Sequence, residues 1–103
     1  MVTPARLAPP DSCPSDVAQV WREVVAAYGA GAERIVGSAL EAYCGQVARL
    51  REAQRRLRAE GMVIADPKGA PIPHPALAVE RQAQAEIRAW GSRFEKPRTG
   101  RVG

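Results

Sequence analysis

Arg49, Arg51, Arg55, Arg56 and Arg58 fall within ten residues, about three turns if the segment is helical. Arg51, Arg55 and Arg58 then share one face by their spacing of four and three. A guanidinium presents a planar fork of donors that matches a phosphate or a carboxylate, so the cluster suits a phosphate backbone or an acidic partner. Glu52 and Glu60 stand at distances that also let them pair with neighbouring arginines, which leaves a solvated, self-paired face as the other reading. A second basic group, Arg93, Lys96, Arg98 and Arg101, faces a single acid, Glu95. The whole chain of 103 residues carries a net charge of +4 and a pI near 9.7, with fifteen basic residues of which thirteen are arginine. That balance is compatible with nucleic acid or an acidic partner and decides neither.

Other chemistry finds little support. Cys13 and Cys44 form no CxxC pair, and His74 is the single histidine, so the three or four ligands of a zinc site are missing. The acids are scattered among arginines, and no nucleophile elbow, phosphate-binding glycine loop or metalloprotease helix motif is present. The expectation is a protein with no catalytic residues, no metal and no cofactor. His74, beside Pro73 and Pro75, reads as a helix cap or surface residue. The N-terminus lacks the apolar segment of a signal peptide and no stretch is long and apolar enough to span a membrane, so the expected place is the cytoplasm, with reduced thiols and no membrane partner. Cys44, among apolar positions, reads as a small core residue.

The elements that must hold these residues read as helices, in keeping with nineteen alanines and many leucines and arginines. Residues 1–14 contain four prolines and read as a flexible arm. A first helix is expected over 15–28, with Val17, Val20, Trp21, Val24 and Tyr28 on one face and Gly29 at its end. A second is expected over 32–60. In it Val36, Leu40, Tyr43, Val47, Leu50, Gln54 and Leu57 alternate spacings of four and three, an unbroken heptad register that suits packing between subunits, or else a hairpin core within the chain. Gly37, followed by Ser38 and Glu41 at capping-box spacing, marks a possible break. Met62–Ile64 read as a short strand. Asp66-Pro67-Lys68-Gly69 carries a type I turn signature, and Pro71 and Pro73 allow at most an edge strand after it. A third helix is expected over 75–94, with Ala76, Val79, Ala83, Ile87, Trp90 and Phe94 in one stripe and Gly91 weakening its end. Trp21, Val24, Tyr28, Ile87, Trp90 and Phe94 are the expected core. Residues 95–103 form a flexible basic tail.

The order of these features resembles the small terminase subunit of tailed bacteriophages and prophages. The resemblance rests on Trp21, Leu40-Glu41-Ala42-Tyr43-Cys44, Leu57-Arg58-Ala59-Glu60-Gly61, the turn with Gly69, and His74-Pro75-Ala76-Leu77 followed by Glu80. It covers about residues 8 to 94. The chain departs from that pattern at His74, where asparagine is usual, at Val36, where an acid is usual, and after Arg93, where the usual Gly-Leu-Thr-Pro ending is missing. The resemblance implies a non-catalytic packaging component. Such a protein assembles into a homo-oligomeric ring, recognises double-stranded viral DNA near the packaging start site, and recruits and regulates the large terminase subunit with its ATPase and nuclease.

The fold expected is therefore all-α: a helical hairpin with a long central helix, a short turn or β-hairpin excursion, and a third helix, all in one domain over 15–94. A chain this small is marginal alone and gains burial by assembling. The heptad residues are the expected oligomer interface. Arg49, Arg51, Arg55, Arg56 and Arg58 come first as phosphate contacts, and Arg93, Lys96, Arg98 and Arg101 second. Two other functions fit the same residues: a helical adaptor whose arginines bind an acidic protein, and a small dimeric DNA-binding regulator, although no compact recognition helix follows the first turn.

Overall fold

A computed structural model describes residues 5–97. Three helices, α1 (Ser15–Tyr28), α2 (Ser38–Glu60) and α3 (Ala76–Trp90), carry a two-stranded antiparallel hairpin, β1 (Val63–Ala65) and β2 (Pro71–Pro73), between the second and third. The mainly helical architecture with a hairpin excursion is the one that periodicity and turn residues predict.

α1 begins after Pro14, whose carbonyl accepts from the Ala18 amide, and carries Asp16 in its first turn, where a carboxylate complements the helix dipole. It buries Val20, Trp21, Val25 and Tyr28 on one face. The indole nitrogen of Trp21 donates to the Leu7 carbonyl at 2.8 Å, which ties the 3-10 turn Ala5–Leu7 to this helix.

α2 starts later than its apolar pattern suggests. Ala32–Arg34 forms a separate 3-10 turn, and Gly37 at φ 144° breaks the path before Ser38. Val36 therefore lies in the link rather than on the helix. Beyond it, Leu40 is 0% exposed and Cys44 and Ala48 follow one turn apart, all within a cluster made with Val20, Trp21, Val25 and Tyr28. Tyr43 and Val47 pack against the same cluster from the side.

α3 runs antiparallel to α2: its start meets Glu60 through His74, and its end meets Tyr43. Gly91, at φ 60°, stops it at Trp90 rather than at Phe94. Phe94 nevertheless reaches the core from the turn that follows, 4.9 Å from the Tyr43 ring and 5.3 Å from Trp90. Ile87 is half-buried and Trp90 packs partly buried against the cluster. Buried contact residues on α2 and α3 farther from the aromatics are alanines, Ala53, Ala76 and Ala83.

In the hairpin, Val63 pairs with Pro73, Ile64 with Ile72 and Ala65 with Pro71. Asp66 builds its turn: one carboxylate oxygen accepts the amides of Lys68 and Ala70 at 2.9 and 2.8 Å, and its carbonyl accepts from Gly69. The His74 amide donates inward to the Met62 carbonyl, so the nitrogens of Pro71 and Pro73, at alternate positions, face the outer edge.

Candidate nucleic-acid interface

The arginines of α2 divide into two groups. Arg51 reaches across to α1 and grips Glu23 with both terminal nitrogens, at 2.6 and 3.2 Å. Arg55 holds Glu52 through Nε and Nη2, at 2.9 and 2.6 Å. Arg56 sits 3.7 Å from Glu60. Arg49 and Arg58 form no ion pair among the described residues and are exposed. The hydrogen bonds from Arg51 hold the Glu23 carboxyl below its ordinary pKa, and those from Arg55 do the same for Glu52. Pairing of this kind reduces the field that the cluster presents outward.

The C-terminal cations are arranged differently. Arg93 lies in the turns after α3, exposed, with its guanidinium 5.4 Å from the ring centroids of both Trp90 and Phe94. That contact fixes the side chain over an aromatic surface without neutralising it. Lys96 is exposed two residues beyond Phe94. Arg98 and Arg101 lie outside the described residues. Residues 5–97 hold thirteen basic against eleven acidic groups, a net of +2, and the remaining +2 of the chain belongs to Arg98 and Arg101.

His74 occupies the junction between hairpin and α3 and is 5% exposed. Its Nδ1 accepts the Ala76 amide at 2.9 Å, one of the donors that a helix start leaves free. With Nδ1 accepting, Nε2 carries the proton and donates to Glu60 Oε1 at 2.7 Å. That bond, ahead of the charge of Arg56, lowers the Glu60 pKa. The sequence left His74 as a helix cap or a surface residue; it caps the Ala76 amide, and its burial excludes the surface reading. The tie to Glu60, fourteen residues away, was not legible in the sequence, and neither was Glu23 as the partner of Arg51, twenty-eight residues away.

Beside this junction an open groove of about 630 Å³ runs between α1, α2 and α3. Gly45, Ala48 and Ala53 form its floor, while Val17, Ile64 and Val79 stand on its walls. Arg49, Glu52 and Arg56 line the same groove. Gln54, Leu57 and Arg58 fall on another side of α2, where they meet Met62 and Glu80. Of the heptad stripe, Leu40 is thus wholly inside the chain, Tyr43 lies against Trp90 and Phe94, and Leu50, Gln54 and Leu57 are half-buried.

Comparison with protein families matches residues 18–95 to the family described as phage terminase, small subunit. No curated protein and no solved structure is found to match. Since the matched span takes in nearly all of α1, the whole of α2, the hairpin and α3, and the Phe94 turn, the chain belongs to the phage terminase small-subunit family, whose role lies in phage DNA packaging.

Proposed function

We propose that this chain is a non-catalytic packaging subunit that assembles with copies of itself into a ring in the host cytoplasm. It binds double-stranded phage DNA near the packaging start through phosphate contacts, and it recruits and regulates the large terminase subunit, which carries the ATPase and nuclease. Family membership supports the packaging role. The observation that carries the DNA contact is the run from Arg93 to Arg101: four cations against Glu95 within nine residues, with Arg93 seated over Trp90 and Phe94. Arg49 and Arg58 add unpaired charge on α2, while Arg51, Arg55 and Arg56 serve chiefly as ties to nearby carboxylates. The C-terminal cations therefore rank ahead of the α2 cluster.

Repeating a modest charge around a ring multiplies the field at the DNA and makes binding fall steeply with salt. The test is retention of duplex DNA across a salt series by wild type, by Arg93→Glu/Lys96→Glu, and by Arg49→Glu/Arg58→Glu. The C-terminal variant is expected to lose most of the retention and to flatten the salt slope, and the α2 variant to lose less. Retention unchanged in both sinks the DNA reading and brings the adaptor reading forward.

A further inference from the structure

We infer that Arg34 and Arg93 together hold one phosphate of the DNA backbone, in a depression between the α1–α2 link and the turn after α3. The inference rests on the DNA reading above and deepens it: it names the binding site and adds Arg34, which neither basic cluster contains.

Two segments distant in sequence build the site. Arg34 ends the 3-10 turn Ala32–Arg34, and Arg93 follows the stop of α3 at Gly91. Both line one open depression of about 420 Å³, with Ile35, Val36, Ser38 and Phe94 around them. That volume lies within the roughly 300–1,000 Å³ of small-molecule sites, enough for a phosphate and the sugar beside it.

Charge selects the occupant. None of the lining residues is acidic, and neither arginine forms an ion pair among the described residues. Glu33, beside Arg34 in sequence, is not among the lining residues, and Glu95 lines a different depression with Lys96. Elsewhere the cations of α2 share their depressions with carboxylates: Arg49 and Arg56 with Glu52 and Glu60, Arg51 with Glu23, and Arg58 with Glu80. Here a phosphodiester supplies the missing anion, and the planar fork of each arginine matches its free oxygens.

Both side chains are already placed. The guanidinium of Arg93 lies 5.4 Å from the ring centroids of Trp90 and Phe94. That of Arg34 lies against Gly31, where an added Cβ would stand 2.5 Å from Nη2 and 3.2 Å from Cζ and Nε. Gly31, at φ 89°, has no Cβ and leaves the guanidinium that place. An arginine held by packing loses less side-chain freedom when a ligand arrives, so this pair binds at a lower entropic cost than arginines that swing in solvent.

The test measures binding of a labelled DNA duplex to the full chain by fluorescence anisotropy. Arg34→Ala and Arg93→Ala are each expected to weaken binding about tenfold. The double variant should lose little more than either, because removing one guanidinium already breaks a shared clamp. Arg81→Ala, which removes an exposed charge from α3, should change binding by less than about twofold. Ser38→Asp keeps both arginines and puts a carboxylate into the depression at the first turn of α2, where it suits the helix dipole. It should hold or raise the melting temperature while weakening DNA binding about tenfold, a pattern that damage to the fold does not produce. An Arg34→Ala that matches Arg81→Ala, while Arg93→Ala loses DNA, overturns the inference and leaves the DNA reading standing. Losses that multiply in the double variant put the two arginines on separate phosphates and overturn it as well. Inorganic phosphate, added at fixed ionic strength, tests the other source. A melting temperature that phosphate raises in wild type but not in the double variant, with duplex binding unchanged in both single variants, assigns the site to a free anion and overturns the inference. A wild type that binds no duplex at any salt concentration sinks the inference and the DNA reading together.

Discussion

His74 is held through both ring nitrogens, its amide and its carbonyl, which joins the end of α2, the hairpin and the start of α3 at one residue. His74→Ala leaves the Ala76 amide without its cap and should cost about 1–2 kcal/mol in urea unfolding. His74→Asn should recover much of this, because an asparagine oxygen can accept the same amide, although it cannot reach Glu60 as the imidazole does. The carboxyls of Glu23, Glu52 and Glu60 are all held below their ordinary pKa by hydrogen bonds, from Arg51, Arg55 and His74 respectively. A depressed folded pKa contributes stability above the unfolded value and loses it as pH falls through the folded one. Thermal stability should therefore hold near neutrality and decline as acid takes the solution below the ordinary carboxylate range, which a melting series across pH will show. Burial pushes the Cys44 thiol up to about 12, so it stays a neutral core group at physiological pH. A thiol reagent should label Cys44 only at the rate of unfolding. Leu40, fully buried beside it, should cost about 2–5 kcal/mol when cut to alanine.

Punctuating residues made the elements legible, while long-range partners set what the elements do. Pro14 and Gly29 bracket α1 at the bounds the sequence suggests, and Gly61 ends α2 where expected. Ala32–Arg34 misleads because a 3-10 turn carries the same apolar spacing over a few residues, and only Gly37 marks the true start. Gly91 likewise stops α3 short of Phe94, whose place in the apolar stripe reflects a turn folding back on the core rather than a continued helix. The heptads of α2 were visible, but heptad spacing does not say whether the facing helix belongs to the same chain. Here α3 and the Phe94 turn cover Tyr43, and α1 takes the adjoining face at Cys44 and Ala48. The arginine cluster was equally visible, and its partial self-neutralisation was not, because Glu23 comes from another helix. Gly45→Ala separates local from assembly energetics: it should raise the stability of α2 by about 0.5–1 kcal/mol. If a neighbour packs on that floor, the same change should weaken association, read as a higher dissociation constant in sedimentation.

At the scale of the whole molecule, three helices share a single cluster of buried apolar residues, and one hairpin joins the second helix to the third. Among the described residues six of the thirteen buried apolar side chains are alanines, so the core of a single copy is thin. Its melting temperature should rise with protein concentration, since any contact that only folded copies can make stabilises them by mass action. A concentration-independent melt would mean that one copy suffices. Bringing many short strands close together carries a hazard of its own, because exposed strand edges template runaway stacking into fibrils. Pro71 and Pro73 place two nitrogens without hydrogens along the outer edge of β2, so an incoming strand finds no donors there. The prolines thus act as gatekeepers: copies can crowd together without their hairpins zipping into cross-β aggregates from that side.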